Sequence, residues 1–310
     1  MELSGKYSIS TLCEEMGINR SGFYKWMDRL NKPSTKEQKR VLYIELFTLY
    51  HNTYPSHGYR WLNAKIKLDL GESISNTFAH KICKYAQIKS ISRHIVKSNK
   101  GKKELKDFPN LVLKNMHIDK PFMVVVSDMT AFWANGTYYE LTLFMDLYNN
   151  EIVAYALSDK KGDPQTYHNA LLEVLKKKEA YSEFKTVLHT DQGSVYCSKK
   201  FNESLPIYNI IHSMSRAGTP TDNGAMEAIN GWAKDELFID LHINESDDVP
   251  TQVREYIHFF NYERPSYVLK YETPNSFKEK NMVQLKYIKR EQERKNVLAE
   301  LYTLLNLLCE

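Results

Sequence analysis

Three carboxylates at long separations, Asp128, Asp191 and Glu227, are the side chains of this sequence best suited to chemistry. Asp128 closes the apolar run PFMVVVSD, and Asp191 closes FKTVLHTD. Glu227 lies in the first turns of a helical pattern, and 35 residues separate it from Asp191 (227 − 191 − 1 = 35). Phosphodiester cleavage needs an activated water or hydroxyl and a stabilised leaving oxygen, and two divalent ions about 4 Å apart supply both. Hard ions such as Mg²⁺ take oxygen ligands, so carboxylates are the expected side chains. The trio therefore predicts a site for two Mg²⁺ (or Mn²⁺) ions that cuts or joins DNA. Taken singly, each acid has a plainer reading. An Asp after a strand is commonly a turn residue, and a Glu on a charged helix is commonly solvated. Only the combination is specific.

Such a site needs a scaffold that brings distant residues together. PFMVVVSD, GTYYELTLFMD (136–146) and EIVAYAL (151–157) read as three successive strands, mostly apolar and β-branched or aromatic. Asp163 and Pro164 open a helix through Lys178. FKTVLHTD supplies a fourth strand, and LPIYNIIHS (205–213) contains a fifth. Asp222 is expected to cap a helix to about Ile239, and Val249–Tyr262 forms another. Three strands followed by alternating helices and strands predict an α/β fold, an RNase-H-like mixed sheet. Asn223, Asn230 and Lys234 lie at −4, +3 and +7 from Glu227, on one helical face. That face offers a metal ligand and a cation able to hold a phosphate.

The flanks differ from this core. Residues 1–110 carry 20 Lys and Arg against 10 Asp and Glu, a net +10, whereas residues 111–310 carry 22 against 28, a net −6. A basic arm on an acidic body predicts nucleic-acid binding; a solvated basic surface is the plain alternative. Within the arm, SISTLCEEMGINRSGFYKWMDRL (8–30) reads as two short helices about Gly17, capped by Ser8 or Ser10 and by Asn19 or Ser21, a helix-turn-helix. Its second helix presents Arg20, Tyr24, Lys25 and Arg29 for phosphates and base edges. Residues 38–50, the stretch after the turn at Pro55–Gly58, and 73–88 are further helices, a second helix-turn-helix in outline. The predicted organisation is a helical DNA-binding region at 1–94, a basic linker at 95–118, a catalytic core at 119–280 and a helical tail at 281–310. In the tail, Val297, Leu301, Leu304 and Leu308 form an apolar stripe too short for a coiled coil, suited to docking or to self-association.

Cys13, Cys83, Cys197 and Cys309 include no C-x-x-C pair, which argues against a zinc site and a disulfide framework. No apolar run approaches 18 residues, so a soluble, cytoplasmic protein is expected. His189, two residues before Asp191, is expected to be a packed strand residue, and Cys197 a core residue.

The stretches HTDQGSVY, SMSRAGTPTDNGAMEAINGWAKDEL and NYERPSYVLKYETP, with SDMT at Asp128, resemble the DDE transposases with a retroviral-integrase-type core. More closely, the sequence is similar to the OrfB product of IS-three-type insertion sequences, over about residues 8–277, including STLCEEMGINRSGFYKW and YPSHGYRWLNAKI. The resemblance implies that Asp128, Asp191 and Glu227 are the catalytic metal ligands and that Lys234 contacts DNA near the element end. It implies binding to terminal inverted repeats, 3′-strand cleavage and joining of the new 3′-OH to target DNA. Further DNA contacts are expected at Asn223, Arg264 and Arg60. The expected partners are DNA, further copies of the chain, and an upstream OrfA that adds another helix-turn-helix and a leucine zipper. A nucleoid-associated location follows. Three positions depart from the family pattern: Val126 stands where a Trp is usual, Asn150 where an Arg is common, and Ser266 and Tyr267 follow Arg264–Pro265 where a His is common. The alternatives are a DNA-binding regulator with an inactive core and an RNase-H-type nuclease that does not join strands.

Overall fold

The computed structural model describes residues 7–32, 34–92, 117–181, 184–215 and 224–282. Most of the basic linker and of the leucine-rich tail lies outside these residues. No helix among the described residues is long and apolar enough to cross a membrane.

The N-terminal part is helical. Ser8 caps α1 (Ile9–Glu15), and Asn19 caps α2 (Arg20–Asn31) by accepting from Ser21 N at 2.8 Å. Gly17, at φ +62°, makes the turn between them, a left-handed conformation that glycine adopts without steric cost. A capping box of Ser34 and Glu37 starts α3 (Thr35–Thr53). α4 (Tyr59–Leu70) stops at Gly71, φ +74°, and Ser75 caps α5 (Asn76–Tyr85). α3, α4 and α5 share a core of Tyr43, Phe47, Leu62, Ile66, Ala79, Ile82 and Cys83. In contrast, α1 and α2 bury only Cys13 among their described hydrophobic residues.

Five strands then form one sheet in the order β3-β2-β1-β4-β5. β1 (Val124–Ala134), β2 (Thr137–Asp146) and β3 (Glu151–Ser158) form an antiparallel meander. α6 (Pro164–Lys178) leads to β4 (Thr186–Thr190), which pairs parallel to β1, and α7 (Lys199–Ser204) leads to β5 (Ile210–Met214), parallel to β4. This mixed sheet has the RNase-H-like order expected from the sequence. α8 (Gly224–Asp235) and α9 (Val249–Tyr262) cover one face, and α6 and α7 cover the other.

Alternation along the strands assigns side chains to these faces. Val124, Val126 and Val187 join the α8–α9 core, while Val125 and Leu188 join the α6–α7 core. Asp128 keeps the parity of Val126, and Asp191 that of Val187. Asp128 therefore falls on the face covered by α8, and Asp191 directly follows the last residue of β4.

One boundary differs from expectation. Asp128 does not end its strand: β1 continues to Ala134 because β2 pairs with it as far as Ala134↔Thr137. The element that ends is the neighbour β4, whose last pair with β1 is Ser127↔Thr190. An apolar run marks where a strand is buried on both faces; it does not mark how far a hairpin partner carries a more polar continuation. The helix expected to reach Ile239 also changes character, passing after Asp235 into a π turn, Glu236–Asp240.

Candidate active site

The parallel pairing of Ser127 with Thr190 is the last between β1 and β4; Asp128 continues β1 one residue beyond it, and Asp191 leaves β4 one residue beyond it. Both are half-buried. Asp128 is held from two directions: Met129 N donates to Oδ1 at 2.9 Å, and Asn230 Nδ2 on α8 donates to Oδ2 at 2.7 Å. Asp191 Oδ1 accepts from Gly193 N at 2.9 Å. A Cβ at Gly193 would stand 2.9 Å from that same oxygen, so the absence of a side chain there allows the turn to close on the carboxylate.

The electrostatics agree that the two acids share one locality. Burial pushes the Tyr167 hydroxyl up to about 12, with further contributions from Glu140, Asp191 and Asp128. The fully buried Tyr196 is also raised, by burial first and then by the same two aspartates. Tyr196 and Ser127 share a buried hydrogen bond of 2.6 Å, which joins the loop after Asp191 to the strand before Asp128.

Behind Asp191 lies a frame of buried polar groups. His189 is fully buried with Nδ1 2.9 Å from Ser213 Oγ, the packed strand residue expected from the sequence. His212 lies 3.0 Å from Thr190 Oγ1 and 2.6 Å from Asn202 Oδ1. Burial, with a smaller effect of His189, lowers its pKa to about 4, so it is neutral at physiological pH. Cys197 is partly buried against the α6–α7 core, the expected environment.

The remaining expected site residues are distributed unevenly. Glu227 belongs to α8, one turn before Asn230; its side chain, like all of Asn223, lies outside the described residues. Lys234 is half-buried one turn beyond Asn230. Arg20, Tyr24 and Lys25 are exposed on α2, with the Arg20 guanidinium 5.8 Å from the Tyr24 ring centre. Arg60 is exposed at the start of α4, its guanidinium 5.3 Å from the Tyr59 ring centre.

Arg264 is held in a buried ion pair. It is 6% exposed, and its Nε donates to Glu236 Oε1 at 2.6 Å, with Trp232 and Phe260 against its guanidinium. Burial alone would push the Glu236 carboxyl up, but Arg264 and His57 hold it below its usual range. Of the departures from the family pattern, Asn150 has a local cause: its φ of +55° is a left-handed turn conformation that Asn tolerates better than Arg.

Sequence reasoning missed the link from Asn230 to Asp128 and the one from Tyr196 to Ser127. Asn230 shares the face of Glu227, a signal that was available. Nothing local marked Tyr196, since tyrosine is common core material.

Among the described residues no group of three His, Cys, Asp or Glu side chains converges as a metal cage. Asp128 and Asp191 each directly follow the last shared pair of β1 and β4, Ser127 and Thr190. Asn230 Oδ1, beside Asp128, is buried with no hydrogen-bond donor among the described residues. A cluster of oxygens with an unused acceptor fits a hard divalent cation better than a soft one.

Comparison with known proteins places the chain in a family. Residues 119–220 and 208–274 match integrase core domains. The chain is 28% identical over 278 residues to InsK of insertion sequence element IS150 from Escherichia coli (strain K12), covering 89% of this chain and 95% of that one. It is 30% identical over 175 residues to the transposase for insertion sequence element IS904 of Lactococcus lactis, covering 56% of this chain and 68% of the relative. The HTLV-2 integrase catalytic core domain, solved in complex with magnesium, aligns with 51% of this chain and 96% of its own at 18% identity and a TM-score of 0.40. The chain belongs to the insertion-sequence transposases with an integrase core domain, a family of DNA transposition.

Proposed function

We propose that the chain cleaves DNA at the ends of an insertion sequence and joins the new 3′-OH to target DNA, with Asp128, Asp191 and Glu227 as its catalytic metal ligands. The observation that carries this reading is the hydrogen bond from Asn230 to Asp128. Residues three apart on a helix share a face, so Glu227 is placed on the face of α8 from which Asn230 reaches Asp128. When bound, two Mg²⁺ or Mn²⁺ ions supply an activated water or 3′-OH and stabilise the leaving oxygen.

The protein's own groups do the rest. Asn230 and Met129 N orient Asp128, and Gly193 N orients Asp191. The hydrogen bond to each held oxygen comes from the backbone or from a helix side chain, so the carboxylates are oriented before DNA arrives. Lys234 holds a phosphate near the cut. Arg20, Tyr24, Lys25 and Arg60 contact the element ends from the helical region (residues 1–94), and Asn223 contacts DNA beside the catalytic helix. Backbone contacts of this kind weaken as salt rises. The active complex contains more than one copy of the chain, with OrfA as a partner or fusion, acting on DNA in the cytoplasm and at the nucleoid.

A strand-transfer assay tests this reading against its two rivals. Labelled element ends, a target plasmid and Mg²⁺ are expected to yield cut ends and then joined products. Cutting without joining leaves a nuclease, and binding with neither leaves a regulator.

Gly193 offers a sharper local test. Gly193→Ala places a methyl group 2.9 Å from Asp191 Oδ1. The carboxylate is the far end of a flexible side chain, so it yields at little cost in stability. A displacement of ~1 Å at a reacting site reduces rate by about 100-fold. The expected result is an unchanged melting temperature with strongly reduced cleavage, read by calorimetry and a single-turnover assay. A variant that cuts normally would remove Asp191 from the site.

A further inference from the structure

The far end of α8 is held by the helical region. Past Asp235 the backbone widens into the π turn, with Leu241 N bonded to Glu236 O at 3.0 Å. Glu236 is 2% exposed. Its Oε1 accepts from Arg264 Nε at 2.6 Å, and its Oε2 accepts from Tyr256 on α9 at 2.9 Å. From the other side comes the loop between α3 and α4. Ser56 N donates to Asp240 Oδ1 at 2.8 Å, and Ser56 Oγ donates to Asp240 Oδ2 at 2.7 Å. His57 Nε2 lies 3.3 Å from Glu236 Oε1 and 3.5 Å from Asp240 Oδ2. The His57 ring stacks on Trp61 at 3.6 Å, and Tyr54 stacks on Phe259 of α9 at 5.6 Å.

This is a costly way to join two parts of a chain. Buried carboxylates need their partners, and an apolar contact of similar volume often holds equally well. What the polar contact adds is direction. Ser56 grips both oxygens of one carboxylate, which sets the rotation and tilt of the helix end as well as its distance. π turns of this sort recur at functional positions in helices.

The geometry gives that direction a use. Glu227 lies nine residues before Glu236 (236 − 227 = 9) on the same helical run. Nine residues of helix span about 13 Å, so a tilt of about 10° at the π turn moves the Glu227 end by about 2 Å. Misplacement on that scale is ruinous for a catalytic group.

We propose that Ser56 and His57 are positioning residues of the transposition reaction: through Asp240 and Glu236 they set the axis of α8, and through it the catalytic carboxylate of Glu227. The DNA-binding region thus braces the active site from a loop that touches no reacting atom. The proposal rests on the reading of Glu227 as a metal ligand.

The test uses the full chain with Ser56→Ala and, from the opposite side of the contact, Asp240→Ala. Four quantities are measured: affinity for a labelled element end, single-turnover cleavage at saturating DNA, the Mg²⁺ concentration for half-maximal cleavage, and hydrogen exchange of the α8 amides without DNA or metal. Both variants are expected to bind ends within about threefold of the parent and to cut about 10- to 100-fold more slowly, with the Mg²⁺ requirement raised about fivefold or more. α8 amides are expected to exchange about tenfold faster, while those of α3 and α5 remain protected. Normal cleavage with normal Mg²⁺ dependence, unchanged α8 exchange, or a loss of binding that accounts for the loss of cleavage would each overturn the proposal. Glu227→Gln is run in parallel. If it still cuts, the metal-ligand reading fails whatever Ser56 does; if it is dead while both clamp variants cut normally, the clamp alone is refuted.

Discussion

Replacing Asp128, Asp191 or Glu227 singly by its amide is expected to reduce end cleavage at least about a thousandfold, equivalent to about 4 kcal/mol of barrier. Element-end binding should stay within about threefold, because none of the three is needed to grip the DNA backbone. The amides are nearly isosteric, so folding is preserved. Asn at 191 still presents an oxygen to Gly193 N, and Asn at 128 still presents one to Met129 N or to Asn230. What is lost is the charge that a divalent cation requires. Single-turnover cleavage of a labelled end, beside a mobility-shift titration of the same DNA, separates the two effects. Wild-type cutting by any one of the variants removes that residue from the site. If Asp128→Asn and Asp191→Asn both retain full activity, the transposase chemistry lies elsewhere in the chain or is absent.

The second large effect concerns stability. Arg264→Ala leaves Glu236 buried with its strongest partner removed. Breaking one side of a buried ion pair costs about 3–5 kcal/mol, well above the median for a point substitution. Arg264→Lys should recover only part of this, since an ammonium lacks the planar guanidinium that packs between Trp232 and Phe260. Urea unfolding measures the loss directly. The pair also predicts a pH dependence. The folded protein holds Glu236 below its ordinary value of 4.5, so the stabilisation is fully present above that pH and is lost on further acidification through the lower folded value. A salt titration of DNA binding gives an independent check. Were Arg264 a phosphate contact, as its motif implied, removing it would lower the salt slope by about one unit. An unchanged slope with a large stability loss is the result expected of a buried brace.

Much of the site was legible because it is written in local patterns. Apolar β-branched runs located β1 and β4, and the acids that follow them were visible without a fold. The helical face shared by Glu227, Asn230 and Lys234 follows from a period of 3.6 residues. The caps are local chemistry as well: of the pairs Ser8 or Ser10 and Asn19 or Ser21 the structure uses Ser8 and Asn19, and Asp163 opens α6 as expected. Arg264 shows where such reading stops. Its motif spacing was visible, but whether a guanidinium faces solvent or a buried acid depends on Glu236, 28 residues earlier in the chain, and on the packing of Trp232 and Phe260. The extent of β1 was hidden for a related reason, because its outer half is held by pairing with β2 and carries little apolar signal of its own.

Residue order alone therefore determined the succession of strands and helices and the family. Those depend on side-chain type and on short-range periodicity, which are properties of the sequence itself. Only the tertiary structure decided that β1 and β4 are parallel neighbours ending their pairing at Ser127 and Thr190, that Asn230 reaches Asp128, and that Ser56 and His57 close on Asp240 and Glu236. Each of these joins residues tens to nearly two hundred positions apart. Contacts at that separation form when buried surface and satisfied polar groups outweigh the entropy of closing the loop, a balance struck by the whole chain and by no segment of it.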